Sequence, residues 1–273
     1  MKFSLLVGKT RLALDICTST SNWPILFLNY FGLIKSKEIT FKLKKEPWIS
    51  IYTPSSKYDT SGFATVWEIV IKKNYNPRGF EIGDKDTIID IGANMGIFSI
   101  YAAKKAKNGN VYSFEPFKEH YARLERDIKL NNLKNVHIFN EAVAKKVGKQ
   151  SLFLSDVSSG MHSLYSKNKS KDNPVVNITT LNKIIKDNKL YKNGIDFLKI
   201  DCEGAEYDII YSTSKNYINK IKRISMEYED MDNKKMNHIY MKIFLENSGF
   251  KVFLKEPDKK QGILYAINKS KPK

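Results

Sequence analysis

Cysteine is scarce in this sequence, and histidine is almost as scarce. The 273 residues contain two cysteines, Cys17 and Cys202, which lie far apart, and four histidines. No CxxC pair and no His/Cys cluster occurs, which argues against a disulfide framework and against a structural zinc site. Free cysteines are typical of a reducing compartment, so we expect a cytoplasmic protein.

The sequence also lacks a long hydrophobic run. Its most apolar N-terminal segment, WPILFLNYFGLI (23–34), is shorter than the ~20 residues that a membrane-spanning helix needs. The segment follows a polar TSTSN stretch, whereas a signal peptide has a basic region and a small-residue cleavage site. We expect a helix that packs on the core and no transmembrane segment. Contact with a membrane surface is the alternative.

Acidic residues are few compared with basic ones. The 46 Lys and Arg residues outnumber the 29 Asp and Glu residues, which leaves a formal charge of +17. Such an excess favours anionic partners, including nucleic acid and nucleotide-linked substrates. The lysines are scattered over the whole chain, however, so a compositional habit explains the charge as well as a binding stripe would. Nucleic acid is therefore an alternative partner and not the favoured one, and the oligomeric state is left open.

The sequence does contain a regular alternation of predicted strands and helices. From about Thr87 onward, short β-branched runs alternate with segments of helical length, which predicts an α/β fold with a mostly parallel sheet. Helices are predicted over 96–106 and 119–130. Only KEPDKKQ separates the last two strands, which predicts an antiparallel pair at one sheet edge. The seven predicted strands are TIIDI, NVYSF, NVHIFN, IDFLKID, IKRISMEYE, FKVFL and GILYAIN.

Two segments break this alternation. Residues 1–80 contain the apolar helix from Trp23, a hairpin in EITFKLKKEPWISIYTP and a helix in FATVWEIVIKKNY. We therefore predict a small α+β cap at 1–80 and a main domain at 81–273. Residues 151–174 are rich in Ser, Gly and Asn, which predicts a hairpin and an exposed loop.

The turn after the first strand of the main domain carries four residues that a buried strand does not need. The segment IIDIGANMG includes Asp90, Gly92, Asn94 and Gly96. The glycines allow a tight turn and a close ligand approach, and the helix is expected to begin near Asn94 with its amide N–H groups exposed. Ligands of open α/β sheets bind at this edge, outside the carboxyl ends of the strands.

Glu115 ends the second strand, about 20 residues after Gly96. An acid at this spacing can accept hydrogen bonds from both hydroxyls of a ribose. The glycine turn and the acid together predict a nucleoside-containing cofactor. The alternative is that Glu115 only caps the helix that follows Pro116.

Four stretches together resemble the FkbM family of S-adenosylmethionine-dependent methyltransferases. They are IIDIGANMGIFSIYAA, VYSFEP, LNNLKNVHIFNEAVA and FLKIDCEGAEYDII, in the family's order and spacing. The likeness extends back to EIVIKKNY, near Glu68 and Tyr75, and forward through ISMEYED to GILYAINK. It implies a Rossmann-like class I methyltransferase fold and S-adenosylmethionine as the cofactor.

The resemblance also implies roles for single residues. The glycine turn would surround the amino-acid end of the cofactor, Glu115 would hold the ribose, and the turn after the third strand would edge the adenine. Asn140 could equally be an ordinary turn residue. The implied cofactor-binding residues are Glu68, Asp90, Gly92, Asn94, Gly96, Glu115, Asn140, Glu141, Ala142 and Asp201.

The chemistry is expected at the end of the fourth strand, in IDFLKIDCEGAE. Alternation with a period of two puts Lys199, Asp201 and Glu203 on one side. A protonated alcohol is a poor nucleophile, so we predict that Asp201 or Glu203 is a general base and that Lys199 tunes these carboxylates. Asp201 could also contact the cofactor's amino group. The alternatives are a structural ion pair at Lys199 and a base at His162.

No metal site is predicted. Glu227, Glu229 and Asp230 end the fifth strand, and we expect them to be solvated acids. A divalent metal held by these carboxylates near Asp201 is the alternative. Two departures from the family pattern, Asn182 in place of an Asp and the YDIIYSTS end of the next helix, make any transfer of substrate identity doubtful.

The leading interpretation is O-methylation of a hydroxyl on a sugar, glycan or other small molecule. Methylation of RNA or another nucleic acid is the first alternative. Base-amine methylation typically uses a [DN]PP[YF] loop after the fourth strand, where this chain has DCEG. A protein that binds S-adenosylmethionine without catalysis is the second alternative.

Overall fold

The structure is a computed structural model that describes residues 2–34, 36–52, 61–154, 163–164, 173–231, 235–255 and 259–271. Its first elements are α1 (Lys2–Ser19), α2 (Trp23–Tyr30), β1 (Glu38–Phe41), β2 (Ile49–Tyr52) and α3 (Ser61–Val66). A π-helical turn (Trp67–Ile71) follows. The central elements are β3 (Thr87–Ile91), α4 (Ile97–Lys105), β4 (Asn110–Phe114), α5 (Lys118–Leu130), β5 (Val136–Phe139), β6 (Ala142–Val143), β7 (Gly148–Ser151), β8 (Val175–Thr179) and α6 (Leu181–Asp187). The last are β9 (Ile195–Ile200), α7 (Glu206–Ser212), α8 (Lys215–Ile218), β10 (Ile221–Glu229), α9 (His238–Asn247), β11 (Phe250–Lys255) and β12 (Gln261–Asn268).

The centre of the fold is a seven-stranded sheet in the order β11-β12-β10-β9-β3-β4-β5. Neighbours from β10 to β5 pair in parallel, whereas β12 is antiparallel to both β10 and β11. The predicted α/β class, the seven strands and the antiparallel edge pair are confirmed. Helices cover both faces of the sheet, which is why strands such as TIIDI and IDFLKI are apolar along most of their length.

The parallel pairing brings the carboxyl ends of β3, β4, β5, β9 and β10 to one edge. In the register, Asp90 on β3 lies beside Lys199 on β9, and Phe114 on β4 lies beside Phe139 on β5. The glycine turn, Glu115 and the DCEG segment therefore follow neighbouring strands at the same edge. This edge holds the candidate site.

A small sheet of β6, β8 and β7 stands next to this edge. Its strands β7 and β8 are antiparallel, and Phe153 forms an antiparallel bridge with Ser163. The hairpin predicted within residues 151–174 agrees with this pairing as far as it is described. The predicted exposed loop lies largely outside the described residues, and so does His162.

The N-terminal segment shares an apolar core with the main sheet. Side chains from α1, β1 and β2 belong to one buried cluster with Ile88 of β3 and Phe197 of β9. The division into a cap at 1–80 and a main domain at 81–273 stays a prediction. No helix in the described part of the chain is long and apolar enough to cross a membrane.

The expectation that WPILFLNYFGLI packs on the core is wrong for most of its side chains. Helix α2 ends at Tyr30, and Leu26 is its one buried residue. Trp23, Ile25 and Phe27 are exposed. The helix is short and packs on α1 along one narrow face, so its remaining apolar side chains face outward, except Tyr30, whose ring packs against Phe63.

Two other helix boundaries differ from the prediction. The helix expected near Asn94 begins at Ile97, because Gly96 is left-handed at its N-cap. The helix expected over FATVWEIVIKKNY changes into the π-helical turn and ends at Ile71. Such turns hold an extra residue in the helical ladder, which local hydrophobic patterning does not reveal.

We predict that Gly109→Ala destabilises the fold by about 2 kcal/mol, which is typical of overpacking. A Cβ at Gly109 would lie 2.0 Å from the carbonyl oxygen of Asp86, in the loop that leads into β3. Urea unfolding measures the change. Gly148→Ala is the matched control, because a Cβ there meets nothing within 4 Å. Equal stability of the two variants would contradict the prediction.

Candidate functional site

The glycine turn is shaped by contact with the neighbouring strand. Gly92 has φ +73°, and a Cβ at this position would lie 1.7 Å from the carbonyl oxygen of Asp201. Gly96 has φ +85°, and a Cβ there would lie 2.3 Å from Cδ1 of Leu124 on α5. Asn94 is also left-handed, with φ +51°, a conformation that Asn tolerates better than most residues. The turn therefore needs small residues for packing as well as for backbone freedom.

Glu115 ties two turns together. Its carboxylate accepts a hydrogen bond from the Asn94 N–H at 2.8 Å and another from the Phe117 N–H at 2.9 Å. Burial raises the pKa of Glu115 to about 7 although these two N–H groups favour the charged form. The amide of Asn94 is therefore engaged by Glu115 and not exposed as expected. The capping alternative for Glu115 also holds in part, because Phe117 directly precedes α5.

Glu115 and the glycine turn border a cleft that is partly open to solvent. Six of the predicted cofactor-binding residues line it, namely Gly92, Asn94, Glu115, Glu141, Ala142 and Asp201.

The other predicted cofactor-binding residues lie outside the described lining of the cleft. Asp90 is fully buried beneath the turn, and Gly96 packs on α5. The side-chain amide of Asn140 donates to the carbonyl oxygens of Glu115 (2.9 Å) and Pro116 (3.0 Å). Glu68 lies on the π-helical turn, where burial of its carboxyl and then the charge of Asp201 raise its pKa.

Lys199 is a buried cation between two carboxylates. Its Nζ is 3.1 Å from Oδ1 of Asp90 and 3.5 Å from Oδ2 of Asp201, and it donates to the Gly92 carbonyl oxygen at 2.7 Å. Burial opposes the charged form, yet Asp90 and Asp201 outweigh it and raise the pKa of Lys199. Asp90 also accepts a hydrogen bond from the Ser99 hydroxyl. The ion pair that was an alternative for Lys199 is present and links β9 to the glycine turn.

Tyr75 joins two carboxylates that are far apart in sequence. Its hydroxyl oxygen is 2.8 Å from Oδ2 of Asp201 and 2.9 Å from Oε2 of Glu227. One hydroxyl proton can serve one of these contacts, so the other requires a proton on a carboxyl group. Burial, and next the charge of Asp201, raise the pKa of Glu227 to about 7. Asp201, Tyr75 and Glu227 therefore form a chain along which a proton can be shared.

Glu203 belongs to a different pair. It follows the end of β9 at Ile200 and has φ +55°, so the period-two alternation that grouped it with Lys199 does not continue. Burial, followed by the charges of Glu229 and Asp201, raises the pKa of Glu203 to about 9. A hydrogen bond between Glu203 and Glu229 contributes to this shift, which indicates a shared proton.

We expected the acids at the end of β10 to be solvated, but they form hydrogen bonds with other side chains and with the backbone. Gln261 donates to Oε1 of Glu227 at 3.2 Å and to Oε1 of Glu229 at 3.0 Å. Asp230 accepts hydrogen bonds from the His238 N–H and the Tyr207 hydroxyl. Among the described residues, no group of His, Cys, Asp and Glu is arranged to hold a metal ion.

Several residues that shape the site were missed or misplaced by the sequence prediction. Glu206 is buried and accepts hydrogen bonds from the N–H groups of Cys202 (3.1 Å) and Gly204 (2.9 Å), so it folds the DCEG turn. His120 lines the cleft, with Nδ1 3.9 Å from Oε1 of Glu115. Cys202, between Asp201 and Glu203, also lines the cleft. The quoted stretches EIVIKKNY and DCEGAE were the available signals for Tyr75 and Glu206.

Comparisons with known proteins place this chain in a family. Residues 90–252 match the family model described as the methyltransferase FkbM domain. "Methyltransferase 1" of Beauveria bassiana is 24% identical over 209 residues, which span 70% of this chain and 82% of that protein. "Methyltransferase sdnD" of Sordaria araneosa is 24% identical over 193 residues, which span 59% and 74% of the two chains. A crystal structure of Methyltransferase FkbM from Methylobacillus flagellatus KT aligns at 12% identity and a TM-score of 0.47 over 68% of this chain and 44% of that chain.

We predict that the free energy of unfolding falls as the pH rises from about 5 to about 8. Burial raises the folded-state pKa of Glu115, Glu206 and Glu227 from 4.5 to about 7. Between these values the folded chain holds protons that the unfolded chain has released, so stability declines with rising pH.

Urea unfolding at pH 5, 6, 7 and 8 measures this decline. Glu227→Gln removes one of the titrating groups and should flatten the slope. Glu125→Gln, at a half-exposed carboxylate paired with Lys129, is the matched control and should keep the wild-type slope. A constant stability, or the same slope in Glu227→Gln as in the wild type, would overturn this assignment.

Proposed function

We propose, from the premise that this chain belongs to the FkbM methyltransferase family, that it methylates a hydroxyl of a sugar, a glycan or another small molecule. Methyl transfer with S-adenosylmethionine follows from family membership. The hydroxyl acceptor is the proposed step. The observation that carries it is the proton-sharing chain of Asp201, Tyr75 and Glu227 beside the cleft.

The residues of the cleft fit S-adenosylmethionine. The buried Glu115 carboxylate borders the cleft at the end of the second strand of the main domain, and polar groups of the glycine turn line it beside apolar side chains such as Phe114 and Leu152. Glu115 would hold the ribose hydroxyls, Glu141 and Ala142 would edge the adenine, and Asn94 and Asp201 would face the amino-acid end. When bound, S-adenosylmethionine supplies a methyl group activated by its positively charged sulfur.

Asp201 is better suited than Glu203 to be the general base. With a pKa of about 9, Glu203 holds a proton at neutral pH and cannot accept another. Asp201 lines the cleft, and its carboxylate accepts a hydrogen bond from the Tyr75 hydroxyl. Asp201 would take the proton of the acceptor hydroxyl as the acceptor oxygen bonds to the methyl carbon, and the electron pair of the broken methyl–sulfur bond would leave with the cofactor's sulfur as a neutral thioether. Glu227 holds the proton that the Tyr75 contacts already require, so Asp201 is the member of the chain that can accept one, and Lys199 orients the Asp201 carboxylate.

The two alternatives have weaker support. Nucleic-acid methylation would need a surface for the polymer, and the DCEG turn in place of [DN]PP[YF] does not favour attack by a base amine. A protein without catalysis would not require a chain of proton-sharing groups beside the cleft. The printed names of the two relatives, "Methyltransferase 1" and "Methyltransferase sdnD", identify no acceptor.

We predict that Asp201→Asn lowers methyl transfer by roughly 100-fold or more, as loss of a general base does. Glu203→Gln should stay within a few-fold of the wild type, because Glu203 is already protonated. Transfer of labelled methyl groups from S-adenosylmethionine is measured on fractions of glycans, lipids, small molecules, proteins and RNA. Asp187→Asn, at an exposed acid on α6, is the matched control.

Calorimetric titration with S-adenosylmethionine separates binding from catalysis in these variants. Asp201→Asn should still bind it, and Glu115→Ala should bind it at least tenfold more weakly, as expected for loss of charge-assisted hydrogen bonds. Near-normal turnover in Asp201→Asn would show that Asp201 is not the general base. Methyl transfer to RNA alone would favour the alternative that the protein methylates nucleic acid. Absence of binding by the wild type would remove the whole proposal.

A further inference from the structure

We infer that the acceptor carries an anionic group, a carboxylate or a phosphate, which lysines at the β11–β12 turn hold. The inference rests on the proposed function and names a substrate class for the same site. A second, open groove of about 1030 Å³ lies beside the carboxylates. Its lining includes Asn74, Glu227, Lys255, Lys259, Lys260 and Gln261.

The strand directions put these lysines at the acceptor edge. Strands β10 and β11 are both antiparallel to β12, so they run in the same direction. Their carboxyl ends, at Glu229 and Lys255, therefore lie at the sheet edge that also holds Asp201. In the register, Gln261 stands opposite Glu229. Strand β12, which follows Lys259 and Lys260 directly, therefore begins beside the end of β10.

Contacts connect the groove to the proposed base. Glu227 lines the groove and shares Tyr75 with Asp201, which lines the cofactor cleft. Lys255 Nζ donates to Oδ1 of Asn74 at 3.1 Å, so this ammonium is held at the groove wall. An acceptor that fills the groove can place a hydroxyl toward Asp201 and its other end toward the lysines.

The charge arrangement favours an acceptor with one negative end. Lys255, Lys259 and Lys260 are exposed at the groove, where Glu227 is part of the lining, and the carboxylates of Asp201 and Glu203 line the neighbouring cleft. These carboxylates would repel an anionic group, and the ammonium groups would attract it, so only one orientation of the acceptor is favoured. A neutral acceptor gains nothing from this polarity.

Calorimetric binding of glucuronate, glucose 6-phosphate and glucose to the full chain tests the inference. At least one of the two anionic sugars should bind the wild type about tenfold more tightly than glucose, and Lys255→Ala/Lys260→Ala should abolish that difference. Lys251→Ala/Lys269→Ala, two exposed lysines at the opposite sheet edge, is the matched control and should bind like the wild type. Preference for glucuronate or for glucose 6-phosphate identifies the anionic group.

Equal binding of all three sugars by the wild type, or unchanged binding in Lys255→Ala/Lys260→Ala, would overturn the inference. This failure differs from failure of the proposed function. If the acceptor is not anionic, the protein can still bind S-adenosylmethionine and transfer a methyl group to a neutral sugar. Loss of all methyl transfer would leave the preference for an anionic sugar measurable.

A separate observation supports a second proposal: we propose that α2 contacts an anionic membrane surface. The exposed apolar side chains that follow one another along this segment are Trp23, Ile25, Phe27, Leu28, Phe31 and Leu33. The Asn22 side chain accepts a hydrogen bond from the Lys42 N–H and donates to the Thr40 carbonyl oxygen. The apolar face therefore begins beside the exposed Lys42.

The chemistry of this region matches a lipid headgroup layer. Lys42, Lys44 and Lys45 are exposed, and the Lys42 ammonium lies 5.0 Å from the ring centroid of the exposed Trp48. Tryptophan side chains favour the membrane interface, and lysines near an anionic surface are attracted to it. An apolar helix face with flanking lysines is the pattern of interfacial attachment.

Co-sedimentation with phosphatidylglycerol/phosphatidylcholine vesicles tests this proposal. The wild type should sediment with mixed vesicles and not with phosphatidylcholine alone, and Phe27→Glu/Phe31→Glu should stay in the supernatant. Ile239→Glu/Ile243→Glu, an exposed apolar pair at the same spacing on α9, is the control and should sediment. Sedimentation of the Phe27→Glu/Phe31→Glu variant with the mixed vesicles would overturn the proposal. It would also be overturned if the wild type formed a dimer without lipid and this variant were a monomer.

Discussion

The buried ion pair of Lys199 and Asp90 is the constraint on which the site depends. The two residues face each other across β9 and β3, and both are almost fully excluded from water. Removing one member of such a pair costs about 3–5 kcal/mol, because the other charge is left buried without compensation. Lys199 also donates to the Gly92 carbonyl oxygen, so the same ammonium holds the glycine turn against the DCEG segment. Cofactor turn and candidate base are thereby set in one geometry.

The site is an acidic region in a basic protein. The chain has a formal charge of +17, yet Asp90, Asp201, Glu203, Glu227 and Glu229 gather at one sheet edge beside the buried ammonium of Lys199. Burial and mutual repulsion raise the pKa values of Glu203 and Glu227, so part of the negative charge is neutralised by bound protons. The charge that is left suits a cofactor with a positively charged sulfur, and the bound protons supply the sharing that a hydroxyl acceptor needs.

Much of this arrangement could be predicted from the sequence, because short-range rules govern it. The period of the apolar runs predicted a mostly parallel sheet, and a parallel sheet brings strand ends together. The spacing from Gly96 to Glu115 and the alternation from Lys199 to Asp201 then placed these residues at one edge. The glycines at 92 and 96 were recognisable because a positive φ restricts the choice of residue.

Other features were decided by the tertiary structure alone. Tyr75 is 126 positions from Asp201, and nothing local indicates that its hydroxyl stands between Asp201 and Glu227. Glu203 does not lie on the side predicted for it, because β9 ends at Ile200 and Glu203 itself has φ +55°. The apolar α2 looks like a core helix in sequence, but its neighbours cover only Leu26. Sequence by itself determined which residues end the strands, since that depends on local hydrophobic period and turn chemistry. Only the packing of distant segments decided which acids are buried and share protons, because burial and pairing depend on neighbours that the chain order does not specify.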